Sequence, residues 1–189
     1  MKYFQRIALK DGRECILRNG TAKDGEAVLE EFVLTHQQTD FLLTFPDEIT
    51  FTAEEEGDFL QKKTDSENEI EIVAELDGII VATAGIEVVS PKQKLRHRCD
   101  FGVSVLKDYW GLGIGKALLE ACIHCAKQAG YEQMELEVVA DNTRAVSLYR
   151  RAGFVEYGRN PLDFKSRISG YQEVVYMRLV LTDTISEKV

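Results

Sequence analysis

Residues 103–116 read VSVLKDYWGLGIGK, where a β-branched run breaks into three alternating glycines and then into a helical repeat. No other segment constrains the fold as tightly: within a few residues a strand must end, the backbone must turn sharply and a helix must begin. Gly111, Gly113 and Gly115 carry no Cβ, so the turn can close and bring several N–H groups toward one anion. From Lys116 to Ala129 the apolar residues Ala117, Leu118, Ala121, Cys122 and Cys125 recur at helical spacing. The loop is therefore predicted to lie at a helix N-terminus, where free amides and the macrodipole favour negative charge, and a diphosphate would fit there.

Two familiar glycine fingerprints do not match. A P-loop needs GxxxxGK followed by Ser or Thr, but Gly115-Lys116 is followed by Ala117 and Trp110 stands five positions before Gly115, so no hydroxyl is available for magnesium. The dinucleotide pattern GxGxxG needs glycine where Lys116 or Leu118 stands.

A second segment narrows the reading. Residues 141–154 are DNTRAVSLYRRAGF: Asp141 or Asn142 can cap a helix, Ala145, Leu148 and Tyr149 share a face, and Gly153 ends the helix before Phe154 begins a strand. Together the two segments resemble the GNAT superfamily of acyl-CoA-dependent N-acyltransferases. The likeness is good over residues 70–180 and extends to the first 69 only in general layout, within one domain spanning 1–189. It implies a mixed α/β (α+β) fold, a central and mostly antiparallel sheet with helices on both faces.

The resemblance also implies a site. In that family a loop of pattern Gln/Arg-x-x-Gly-x-Gly/Ala binds the coenzyme A pyrophosphate, which maps onto Trp110, Gly111, Leu112, Gly113, Ile114 and Gly115, with Lys116 opening the helix. Val103 and Val105 on the preceding strand would also contact acetyl-CoA. The family's Asn-x-x-Ala-x-x-Leu-Tyr-x-x-x-Gly-Phe helix is matched by Asn142, Ala145, Leu148, Tyr149, Gly153 and Phe154, which puts Asn142 near the pantetheine arm and Tyr149 near the sulfur. Trp110 departs from the usual Gln or Arg. Because backbone amides do most of the anion binding in such loops, Trp110 is expected to brace the loop by packing.

Amide formation from a thioester needs a neutral amine, a polarised carbonyl and a proton for the departing thiolate. Primary amines have pKa values near ~10, so a carboxylate must take a proton, directly or through water. Asp100 in CDFGVSV occupies the place where the related strand often carries glutamate, with Glu87 and Glu137 as alternatives on neighbouring strands. The Val105 amide is the candidate oxyanion donor and Tyr149 the candidate acid. The expected activity is acetyl transfer to a primary amine by direct attack. A small cationic acceptor is favoured over a peptide, a coenzyme A-binding regulatory module is the rival from another class, and a homodimer is left open.

At 189 residues and 44% hydrophobic, the chain can bury one substantial core. It contains no apolar run of the ~20 residues that span a bilayer, and MKYFQRIALKDG lacks a signal-peptide core, so a cytoplasmic protein without a membrane partner is expected. Cys15, Cys99, Cys122 and Cys125 form no paired framework. The CIHC run at 122–125 lies deep in the predicted helix, where a redox CxxC motif would begin one; His97, Cys99 and His124 do not complete a metal set, and no metal is expected. The three histidines come without a GxSxG elbow, which disfavours a hydrolase triad.

Turn and cap signals supply the remaining elements. Hairpins are predicted around Asp11-Gly12 (strands 3–9 and 14–18) and Asp77-Gly78 (strands 69–76 and 79–88). Helices are predicted from Thr21, with Asp24 completing the cap, to His36, and from Thr52, with Glu55, to Lys63. Further strands are expected at 98–106, 134–139, 154–157 and 174–181, with 160–172 as a loop. Between Asp47 and Glu75 lie 11 acidic residues against Lys62 and Lys63, a local balance of −9 equal to the net charge of the whole chain. Such an excess repels nucleic acid; it reads as a solvated helix face kept acidic for solubility, and suits a cationic acceptor if it faces the amine entrance. The basic cluster Lys92, Lys94, Arg96, His97 and Arg98 reads as a hairpin tip, with a weaker alternative as a contact for the coenzyme's 3′-phosphate.

Overall fold

A computed structural model describes residues 1–182. Strands β1 (Phe4–Ala8) and β2 (Glu14–Asn19) form the first hairpin, and α1 (Gly25–Gln38) and α2 (Ala53–Asp65) follow. Next come β3 (Ile70–Leu76), β4 (Ile79–Val88), β5 (Arg98–Val105), α3 (Ile114–Gln128), β6 (Gln133–Val139), α4 (Thr143–Arg151), β7 (Val155–Ser166) and β8 (Gly170–Val180). Local signals explain several boundaries. Asp77 and Gly78 both take positive φ, 53° and 80°, as the two-residue β3–β4 turn requires. At α2 the Thr52 hydroxyl accepts from the Glu55 N–H while Glu55 accepts from the Thr52 N–H, a complete capping box.

The eight strands lie in the order β1-β2-β3-β4-β5-β6-β8-β7, and every neighbouring pair is antiparallel except β5–β6. Strand alternation sorts the two faces. Ile72, Ala74, Cys99 and Phe101 join the core under α3 and α4, whereas Val73 packs with Val28 of α1 and Leu60 of α2. Helices thus cover both faces of a mixed α/β sheet. No helix among the described residues is long and apolar enough to cross a membrane.

Three boundaries differ from expectation. The first helix begins with a 3₁₀ turn at Ala22–Asp24, where the Asp24 carboxylate accepts from the Thr21 N–H at 2.8 Å. Helix α3 starts at Ile114, two residues before the predicted Lys116. Most of 160–172 is strand: β7 runs on to Ser166 and β8 begins at Gly170. The β7–β8 register slips between Glu156 and Gly158 and between Asn160 and Phe164, so Pro161 sits in a bulge of an edge strand, where its missing N–H breaks no ladder bond.

One feature of the sheet creates the functional region. Strand β5 stays in register with β4 from Cys99 to Val105 but pairs with β6 only through Arg98, Cys99 and Asp100. Strand β6 meanwhile stays paired with β8 over its whole length. Past Asp100 and Glu135 the two parallel strands separate, and the sheet opens into a V.

Candidate active site

The glycine loop forms one wall of that opening. Gly113 is the N-cap of α3 with φ 103°, a conformation that a β-branched residue adopts only under strain. The first α3 bond from this end runs from the Ala117 N–H to the Gly113 carbonyl at 3.1 Å, which leaves the N–H groups of Ile114, Gly115 and Lys116 without a helical partner. They adjoin a cleft of about 330 Å³ lined by Trp110, Gly111, Gly113, Ile114 and Gly115, the end of β5 and the start of α4. These features suit the diphosphate of coenzyme A: free amides at a helix N-terminus, a Cβ-free approach and an adjoining cleft that reaches the end of β5 and the start of α4.

Not every predicted residue reaches the cleft. Leu112 packs against the core, and its carbonyl accepts from the Lys10 N–H at 3.1 Å. The Lys116 ammonium is 68% exposed and pairs with Glu120 at 2.9 Å, so this residue offers its amide rather than its charge. Trp110 lines the cleft and braces it, because its indole N–H donates to the Val105 carbonyl at 2.7 Å while the Arg144 guanidinium lies 5.1 Å from its ring.

The edge of β5 supplies the next groups. The Leu106 N–H donates to the Val81 carbonyl on the β4 side, and backbone groups of successive residues point to opposite edges. The amides of Val103 and Val105 are thereby aimed into the gap before β6. Across that gap, Asn142 caps α4 by accepting from the Ala145 N–H at 3.3 Å, which leaves its side-chain NH₂ to donate elsewhere. Tyr149 lines the same cleft, 6% exposed and edge-on to Phe101. Burial pushes its hydroxyl well above the ordinary 10, so it stays protonated at neutral pH.

A second cleft, of about 510 Å³, opens beneath α1 and α2. Thr83, Gly85 and Glu87 of β4 stand opposite Ser104, Gly102 and Asp100 of β5, and Glu71 of β3 stands opposite Gly85, so all share one face. A Cβ at Gly85 would come within 1.9 Å of the Glu71 Oε2, which means that the carboxyl group lies directly over this glycine. Burial pushes Glu71 up to about 8, opposed by Lys63. Asp100 rises to about 6 through desolvation and the nearby Glu135, Glu87 and Glu137. Glu87 is ion-paired with the buried Lys63 Nζ at 3.0 Å. Glu137 does not line either cleft.

The two clefts meet at Leu42, Val103 and Ser104. Ser104 Oγ donates to Glu31 Oε1 at 3.0 Å and is 3.1 Å from Thr83 Oγ1. Above the junction, the segment after α1 is tied to the β7–β8 hairpin, since Asp40 accepts from Ser166 Oγ at 2.7 Å and Asp47 from Arg167 at 2.8 Å.

Both charged clusters read from the sequence change meaning. The acidic stretch scatters: Asp47 and Glu48 pair with Arg167, Glu75 pairs with Arg18, Glu55 caps α2, and Glu54 and Asp58 are exposed on α2. Of the charged residues in that stretch only Glu71 and Lys63 line the second cleft, joined from elsewhere by Glu87 and Asp100. The basic cluster is a hairpin tip closed by the Leu95 N–H to Lys92 carbonyl bond. It sits at the Arg98 end of β5, seven residues or ~23 Å from the Val105 end that feeds the glycine loop, which removes the 3′-phosphate alternative.

Sequence reasoning missed Glu71, Ser104, Glu31 and Arg144. Glu31 did carry a signal, because it falls on the buried stripe of α1 with Val28 and Thr35, an acid where an apolar residue is expected.

Residues 31–154 match the Acetyltransferase (GNAT) family, and the chain belongs to that family. A GNAT-family acetyltransferase from Streptococcus pneumoniae superposes with a TM-score of 0.84 at 29% identity, over 88% of this chain and 99% of that one. The protein yncA of Salmonella typhimurium, solved with acetyl-CoA, shares the fold with a TM-score of 0.79 at 18% identity, over 89% of this chain and 95% of that one. Among curated proteins, the L-amino acid N-acetyltransferase AaaT of Escherichia coli is 29% identical over 111 residues, 58% of this chain and 67% of that protein. The chain spans less than half the length of the first curated relatives it matches, among them N-alpha-acetyltransferase 30 of Schizosaccharomyces pombe, 30% identical over 39% of this chain.

Proposed function

We propose that the chain transfers an acetyl group from acetyl-CoA to the primary amine of a small cationic acceptor by direct attack. The observation that carries this reading is the meeting of two clefts at Val103 and Ser104, one ending in free helix amides and the other lined by carboxyl groups. When bound, the coenzyme supplies the thioester. The amides of Ile114, Gly115 and Lys116 hold its diphosphate, and the edge of β5 together with the Asn142 NH₂ orients the arm. The Val105 amide points where a carbonyl oxygen gains charge. Tyr149, kept neutral by burial, is the acid for the departing thiolate.

The acceptor lies in the second cleft, its distal ammonium against Glu71, Glu87 and Asp100. Asp100, expected as a base acting through water, is four residues or ~13 Å along β5 from Ser104, too far for a single bridging water. Its part is to hold the cationic end of the acceptor.

The test is release of coenzyme A thiol with a diamine, a monoamine of equal length and a short peptide. The diamine should exceed the monoamine in kcat/KM by ~10-fold, equivalent to ~1.4 kcal/mol, and Glu71→Gln should erase that preference. Because Glu71 titrates near 8, KM for the diamine should fall as pH rises from 6 to 8. A monoamine handled as well as the diamine refutes the cationic acceptor, and no thiol release with any amine refutes the transferase reading.

A further inference from the structure

The junction of the clefts holds a buried carboxyl group to which nothing above gives a task. Glu31 is 1% exposed in the middle of α1, and its two oxygens lie 3.0 and 3.3 Å from Ser104 Oγ. Ser104 is among the few residues lining both clefts. Its side chain is on the acceptor face of β5, and its neighbours Val103 and Val105 aim their amides at the other cleft. A hydroxyl group so placed can touch an amine about to attack, with a carboxylate directly behind it.

We propose that Ser104 and Glu31 form the proton exit of the reaction: the acceptor's ammonium gives a proton to Ser104 Oγ as the Ser104 hydroxyl proton passes to Glu31. The inference rests on the transferase reading. Its balance closes, since ammonium and Glu31 carboxylate become free amine and Glu31 carboxylic acid. The amine nitrogen then bonds the acyl carbon as the carbon–sulfur bond breaks; the thiolate takes the Tyr149 hydroxyl proton and Tyr149 is restored by the proton that the attacking nitrogen sheds, leaving an amide and coenzyme A thiol. Ser104 is the catalytic residue here, and Glu31 acts through it.

The surroundings suit a carboxyl that both holds and releases a proton. Burial raises Glu31 to about 7, hydrogen bonds from Ser104 and Thr83 oppose the rise, and Glu56 of α2 adds to it. Glu71 of β3 faces the same space, with Lys63 of α2 and Glu87 of β4 beyond it and Asp100 further along β5. Asp24 pairs with Arg18, and Asp47 and Glu48 of the 3₁₀ turn Pro46–Glu48 with Arg167, which turns the acids flanking α1 elsewhere. His36, a little over one turn along α1, has its Nδ1 on the Phe32 carbonyl at 2.6 Å and is held below its ordinary value by burial.

The experiment is the pH dependence of kcat with saturating acetyl-CoA and diamine. In the wild type kcat should rise with pH through a limb near neutrality. Glu31→Gln should lose that limb, run ~10²-fold slower at pH 7 and recover toward the wild-type rate as the amine's own ionisation takes over. Ser104→Ala should behave alike, and Ser104→Thr, which keeps a hydroxyl, should restore the limb. A limb unchanged in Glu31→Gln overturns the relay in an active enzyme, whereas an inactive wild type overturns the transferase reading beneath it. Infrared titration of the protein alone adds a readout independent of turnover. The carboxyl band absent from Glu31→Gln should titrate near neutrality and move upward in Ser104→Ala, and a band indifferent to Ser104 overturns the coupling.

Discussion

Replacing Glu31 by glutamine removes one titrating group from the interior while keeping its shape, so the effect on stability should vary with pH by a calculable amount. The carboxyl is raised from 4.5 to about 7, chiefly by burial. Below pH 4.5 folded and unfolded chains both hold the proton, and above 7 neither does. Between these values the folded chain keeps a proton that the unfolded chain has lost, and wild-type stability therefore falls as pH rises. At ~1.4 kcal/mol per pH unit, the interval from 4.5 to about 7 corresponds to ~3 kcal/mol. Glutamine does not titrate, Asp100 is common to both proteins, and Glu71, which the Glu31 charge helps to raise, is raised less in the variant and so shifts the difference in the same direction. The stability of Glu31→Gln minus that of the wild type should thus become more positive by ~3 kcal/mol between pH 4 and pH 8. Urea unfolding followed through Trp110, the one tryptophan of the chain, measures it. A difference constant to within ~0.5 kcal/mol across that range would mean that the carboxyl is not held protonated by burial, and the argument fails.

Two further outcomes follow from the coenzyme cleft. Gly113→Val forces a β-branched residue into φ 103° and should weaken acetyl-CoA binding by ~10-fold or more, whereas Lys116→Ala, which removes only an exposed charge paired with Glu120, should change it less than ~2-fold. Calorimetric titration of both, with unchanged circular dichroism as the folding control, decides it, and equal losses refute the cradle. Tyr149→Phe removes a hydroxyl held protonated by burial and should lower kcat by ~10² while leaving acetyl-CoA affinity unchanged. An unchanged kcat, measured where chemistry limits the rate, reduces Tyr149 to packing.

Local chemistry was readable wherever neighbouring residues settle it. Asp77-Gly78 dictates its turn, Thr52 with Glu55 its helix start, and Asp141-Asn142 the start of α4, where Asn142 is the cap, because each depends on contacts within four residues. The continuation of β7 to Ser166 was not readable. Pro161 and its polar neighbours look like a loop until β8 lies alongside and a bulge absorbs the proline. The fate of the acidic stretch was unreadable for a related reason: its α2 acids are solvated, as one reading of the sequence had it, but charge adjacent in sequence is dispersed once a helix, a turn and a strand carry it to different faces.

By itself, the sequence determined the strand–turn–helix junction at the glycine loop: three alternating glycines stand between a strand and a helix, and the unpartnered amides at that helix N-terminus need no distant partner. It also placed Asn142 at the start of α4 and Tyr149 on the same helix, because one segment carries both. Only the tertiary structure decided the second cleft. Glu71 lies over Gly85 because β3 and β4 pair in one register, and a slip of one residue would turn that carboxyl to the opposite face. Glu31 meets Ser104 because α1 lies across β4 and β5, joining residues 73 positions apart. The first cleft opens where β5 leaves β6 after Asp100, and the parting of strands is a property of the whole sheet that no segment of the chain encodes alone.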